Sequence, residues 1–118
     1  MPTPLDADFA ARLQALNDKF AASLPGTLDK LAAARARFDA AAPDQTVAAE
    51  LHGLLHSIAG SAGTFGFPLL GQYARIVEQN VRRLLSGTEP PLDWAAWADQ
   101  FDGFLAWAKA DPQAPYTV

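Results

Sequence analysis

Two histidines stand four residues apart, His52 and His56, with glycines around them at Gly53, Gly60 and Gly63. A neutral imidazole keeps a lone pair on one ring nitrogen, and that nitrogen can attack an electrophilic phosphorus with no base to activate it. The same pair, spaced i and i+4, also presents two imidazoles on one helix face, the start of a metal site. A zinc site needs further ligands. The chain holds no other histidine and no cysteine, and Glu78 on a partner helix is the one acid to hand. Without cysteine there is no thiolate nucleophile and no disulfide framework. Ser57 and Ser61 lack a Gly-x-Ser-x-Gly elbow, and no Walker-type loop or kinase motif is present, so neither serine hydrolysis nor ATP binding is expected.

The face on which the histidines fall decides between these chemistries. At about 100° per residue from Ile58, the residues Leu51, Leu54, Leu55, Ala62 and Phe65 fall within roughly 60° and form a core stripe. His56 falls about 160° away, with His52, Gly53, Gly60 and Gly63 near it. This histidine points out of the core. Three glycines inside a helix cost about 2–3 kcal/mol relative to alanine. On an open face that loss makes sense where another molecule must come close. On the following helix, Leu69, Leu70, Tyr73, Ile76, Val77 and Leu84 form the apolar stripe, and Arg75, Glu78 and Arg82 lie near the opposite face. From Gly53 to Gly87 the chain has three arginines, Arg75, Arg82 and Arg83, and one acid, Glu78. A mildly basic zone therefore accompanies the histidine, as a phosphoryl group requires.

The elements that must hold this face are all helical. Alanine occurs 25 times against 2 isoleucines and 4 valines, and spacings of three and four dominate. Asp6 or Asp8 caps a first helix carrying Phe9, Leu13, Leu16 and Phe20. Pro25 kinks or restarts it, and Thr27 to about Ala41 continues as the same helix or a second one. Asp44 or Thr46 caps the histidine helix, which runs from about Val47 to Phe65 with Gly66 just beyond its end. Pro68 opens the next helix, which runs to about Leu85. Asp93 caps the last, with Trp94, Trp97, Phe101, Phe104, Leu105 and Ala108 in one stripe and Trp107 off it. The expected architecture is all-α: an up-down antiparallel four-helix bundle with an additional N-terminal helical segment. One domain spans 1–118, with its core at about 8–110 and a frayed tail at 111–118.

Composition narrows the partners. The net charge is −4, which argues against nucleic acid. No stretch of 18 apolar residues crosses a membrane, and the start shows no signal peptide, so a cytoplasmic location is expected.

The run His56-Ser57-Ile58-Ala59-Gly60-Ser61-Ala62-Gly63-Thr64-Phe65-Gly66-Phe67-Pro68-Leu69-Leu70 resembles the signature of histidine-containing phosphotransfer (HPt) domains. His56, Ile58, Gly60, Ser61, Ala62, Gly66 and Leu70 carry the match. The resemblance implies a phosphorelay intermediary that needs no cofactor of its own. His56 would take a phosphoryl group from the aspartyl phosphate of a response-regulator receiver domain and pass it to another receiver, within a pathway fed by a hybrid histidine kinase. Mg²⁺ would come with the receiver. Gly60, with Gly63, Gly53 and His52, would form the docking face, and Arg82, Gln79 and Arg75 would neighbour the phosphoryl group. The family usually has lysine three residues after the histidine, where this chain has Ala59. That departure keeps open a second reading, a receiver-docking domain without phosphotransfer.

Overall fold

The computed structural model describes residues 4–89 and 91–115; residues 1–3, 90 and 116–118 lie outside them. Among the described residues there are four helices and no strand: α1 Pro4–Ala36, α2 Gln45–Ser61, α3 Pro68–Ser86 and α4 Trp94–Ala110. Each helix packs on the next, and α4 returns to α1, which closes an antiparallel bundle.

Local chemistry sets the helix ends. The Asp44 side chain accepts from the N–H groups of Thr46 (2.8 Å) and Val47 (3.3 Å) and caps α2. Asp93 accepts from Ala96 N–H at 2.8 Å and caps α4. Pro68 begins α3, where its missing N–H costs nothing, and Gly87 ends it at φ 75°. Regular hydrogen bonding in α2 stops at Ser61, earlier than the expected Phe65. The chain then turns through residues 62–66, and Phe67 N–H closes back on Ala62 C=O at 2.8 Å. This six-residue closure needs a left-handed residue just before its end, and Gly66 supplies it at φ 93°.

The N-terminal part differs from expectation. Neither Asp6 nor Asp8 is a cap: the helix already starts at Pro4, Asp6 sits in its first turn, and Asp8 pairs with Arg12 one turn on at 2.8 Å. Pro25 does not split the helix. Its lost hydrogen bond is outweighed by packing, because Leu24, Leu28, Leu31 and Ala34 form one buried line past it. Hydroxyls also help on either side: Ser23 donates to Phe20 C=O and Thr27 to Ser23 C=O. The additional N-terminal segment is thus the first half of α1. A 33-residue helix is about 50 Å long, twice the length of α2, and the molecule measures 58 × 25 × 25 Å. The overhang leaves Phe9, Leu13 and Leu16 exposed, while Phe20 stacks on Phe65 and packs at a tilt against Phe67 of the α2–α3 turn.

The core is aromatic on the α4 side. Trp97, Phe101 and Phe104 are fully buried, and the Trp97 indole donates to Val77 C=O at 3.0 Å. Phe38 packs edge-on against Trp97, and Tyr73 edge-on against Phe104. Trp107, off the stripe, packs against Tyr73 and donates to Ala114 C=O. With Gln113 Nε2 donating to Gly66 C=O, this bond ties residues 111–115 to the bundle, so that part of the expected tail is not frayed. Among the described residues no helix is long and apolar enough to cross a membrane.

The contrast between core and overhang is measurable. Trp97→Ala should lower unfolding free energy by about 3–5 kcal/mol. Phe9→Ser should change it by less than ~0.5 kcal/mol. Urea denaturation followed by circular dichroism reads both.

Candidate functional site

α2 presents two faces. Leu51, Leu55, Ile58 and Ala62 are buried, and Leu54 and Phe65 are half-buried, as the periodicity requires. His56 lies opposite, its side chain 73% exposed. A Cβ added at Gly53, Gly60 or Gly63 would meet nothing within 4 Å, so these glycines do not serve packing within the bundle.

Close packing instead falls on Gly71 in α3, which sequence reasoning passed over. A Cβ there would come within 3.2 Å of Gly63 N and 3.6 Å of Ala62 Cβ. A small residue on the buried side of α3, opposite a Gly on α2, was the signal. The approach at Gly71 brings α2 and α3 together and with them the side chains of the site.

α3 is also turned from its expected orientation. Leu70, Tyr73, Ala74, Val77, Glu78 and Val81 are buried, whereas Ile76, expected inside, is 36% exposed. The buried face is centred toward Ala74 and Val81, to one side of Tyr73. Glu78 is therefore not on the outer face where the periodicity put it beside Arg75 and Arg82. It is 4% exposed and faces α2. Its Oε1 lies 3.4 Å from Nδ1 of His56 and 2.8 Å from Nε2 of His52. The second contact is short but lies off the N–H direction of the His52 ring, so it is not a hydrogen bond. The two imidazoles lie nearly parallel, centroids 6.0 Å apart. Among the described residues they are the only polar groups that meet the Glu78 carboxylate.

The bond to His56 has a chemical consequence. An ionised carboxylate only accepts, so the ring proton belongs on Nδ1, and the lone pair is left on Nε2. Among the described residues no protein group lies within hydrogen-bonding distance of Nε2, and the side chain is mostly exposed. His56, Ala59, Gly60, Arg75, Glu78, Gln79 and Arg82 line one open depression of about 220 Å³. The three neighbours expected from sequence, Arg82, Gln79 and Arg75, are thus brought together with His56, and all three are exposed. Arg75 Nη2 donates to Ala59 C=O at 3.4 Å. Of the residues expected from sequence to form a docking face, Gly60 lines the depression, Gly63 lies beside Arg75 in the adjoining groove, Gly53 lies one turn before His56, and the His52 side chain is half-buried one turn away. A second depression, about 330 Å³, lies between α1 and α4 around Leu24, Pro25 and Leu28 and contains neither histidine. Among the described residues no group of three or more His, Asp or Glu side chains is arranged to hold a metal ion.

The family model for the Hpt domain matches residues 8–107. With this match over most of the chain, the protein belongs to the Hpt domain family, whose helical bundles are phosphocarrier modules of two-component signalling and work with receiver domains and kinases. No curated protein and no solved structure matches the chain.

The glycines give a direct check on this geometry. Gly53→Ala and Gly60→Ala should each raise stability by up to ~1 kcal/mol, because helix propensity improves and nothing clashes. Gly71→Val should lower it by about 1–3 kcal/mol through overpacking at the α2–α3 contact. Urea unfolding midpoints separate the two classes.

Proposed function

We propose that this chain is a phosphorelay intermediary in which His56 accepts the phosphoryl group from a receiver's aspartyl phosphate and passes it to a second receiver. The observation that carries the reading is a 73% exposed imidazole whose Nδ1 lies 3.4 Å from a buried carboxylate, which leaves Nε2 as the nitrogen free to react. The Nε2 lone pair forms the P–N bond as the P–O bond to the aspartyl carboxyl breaks, and that electron pair leaves with the carboxylate. The ring becomes a phosphoimidazolium, and its Nδ1–H stays on Glu78. In onward transfer a second aspartate carboxylate attacks phosphorus and the P–N electrons return to Nε2. The ring departs as neutral imidazole because Nδ1 has kept its proton. Glu78 thus acts through His56, as a positioning residue, in the manner of a carboxylate that orients a catalytic histidine.

Little else is asked of this chain, since phosphoryl transfer is mainly positioning and charge stabilisation. Gly60 and Gly63, with Gly53 and His52 toward the other end, leave a face on which a receiver can seat without steric interference. Arg75, Gln79 and Arg82 offer donors to phosphoryl oxygens. Mg²⁺ belongs to the receiver in this scheme. A hybrid histidine kinase is the source of the phosphoryl group, and a cytoplasmic location follows from such partners. The competing reading, docking without transfer, draws on Ala59, which leaves α2 without a cation beside His56.

Intact mass after incubation with phosphoramidate separates the two. The relay reading expects one acid-labile phosphoryl adduct on the wild type, absent in His56→Gln and retained in His52→Gln. Glu78→Gln should slow its formation on the order of tenfold. Gly60→Leu should take up the adduct but fail to exchange it with receiver domains. No adduct on a folded wild type would leave docking alone.

A further inference from the structure

A phosphoryl group on His56 would bring nearly two negative charges to the surface. The next turn of α2 offers no cation to meet them, because position 59 is alanine. The pairing of α2 with α3 identifies what takes its place. Along α2, His56 meets Glu78, Ala59 meets Arg75, and Gly63 meets Gly71. Each step forward along α2 is matched by an equal step back along α3. In this register Arg75 is level with Ala59, and Arg82 is level with His52.

The two arginines therefore flank His56 from opposite ends of the depression that they share with it. They are not equivalent. Arg75 is tethered: one N–H is spent on Ala59 C=O, and its side chain lines the depression with four further donors left over. Arg82, among the described residues, has no hydrogen bond or ion pair. A tethered guanidinium loses less side-chain freedom when it binds an anion, so it is the better preorganised of the two. The geometry points to Arg75 as the phosphoryl-facing cation of this site, delivered from α3 to the place over Ala59 where α2 supplies none.

This assignment rests on the relay reading, and the test keeps the two apart. The rate of adduct formation from phosphoramidate is measured by intact mass for the full chain. The variants are Arg75→Ala, Arg82→Ala, Ala59→Lys, the double variant Arg75→Ala with Ala59→Lys, and His56→Gln. Arg75→Ala should slow the reaction by about tenfold, in keeping with loss of one charged donor. Arg82→Ala should slow it by less than Arg75→Ala does. Ala59→Lys should restore the Arg75→Ala variant to within about threefold of wild type, since it returns a positive charge to the same place from the other helix. A merely structural role for Arg75 would not be rescued from α2. The assignment is overturned if Arg75→Ala reacts at the wild-type rate, or if the lysine fails to rescue a double variant whose circular dichroism is native. A wild type that takes no adduct, or a His56→Gln variant that keeps it, overturns the relay reading and this assignment with it.

Discussion

A carboxylate buried inside a helical bundle must be met by polar groups, because an ion left alone in the interior costs several kcal/mol. Glu78 is such a carboxylate, and two imidazoles from α2 meet it. That requirement fixes how α3 faces α2. For Glu78 to reach His52 and His56, α3 must bury Ala74, Val77 and Val81 and leave Ile76 at the surface. The same orientation sets Gly71 against Gly63, where a side chain would strike backbone. It also decides which nitrogen of His56 is tied down. One contact thus connects the core packing of two helices to the direction in which the histidine offers its lone pair.

The rest of the bundle keeps that seam rigid. The α2–α3 turn is held on one side by Phe20 of α1, stacked on Phe65 and tilted against Phe67. On the other it is held by Gln113, which donates to Gly66 C=O from the segment after α4. The long α1 therefore does more than pack beside α2: at Phe20 it closes the end of the bundle where α2 turns into α3. The glycines around His56 are a different matter. They lower helix propensity with no return in packing, a loss that the proposed docking of a partner would explain.

The elements were legible where short-range chemistry rules. Asp44, Asp93, Pro68 and Gly87 act at helix ends as their residue types dictate, and the stripe of α2 correctly sends His56 outward. What could not be read depends on contacts between helices. Pro25 interrupts any local pattern, yet Leu24, Leu28 and Leu31 carry α1 through it by burial against neighbours. The apolar residues of α3 surround a stripe centre that differs from the buried one by less than a right angle, so Glu78 and Ile76 exchanged places. Asp8 looked like a cap because helix signals are judged from the first apolar residue, whereas α1 begins earlier, at Pro4. Trp107 falls off the α4 stripe, and its partner, Ala114 C=O, lies in a segment with no periodicity of its own. Of the site, the histidine, the glycines and the arginines were visible in sequence; the carboxylate that orients the histidine was visible only as a charge of the wrong sign.

That sign is worth following through. An anion beside a phosphorylated histidine looks like an obstacle, and its magnitude can be weighed. In the proposed phosphorylated state Glu78 touches Nδ1 while phosphorus sits on Nε2, across the ring. Charges of −1 and −2 roughly 6 Å apart repel by about 5 kcal/mol at the effective dielectric of about 20 that suits a buried carboxylate. The ring gains a positive charge as the P–N bond forms, and at roughly 4 Å from the carboxylate it returns about 4 kcal/mol in the same medium. The carboxylate that seems to oppose the phosphoryl group is therefore largely offset in the state that carries it, because the positive ring stands between the two.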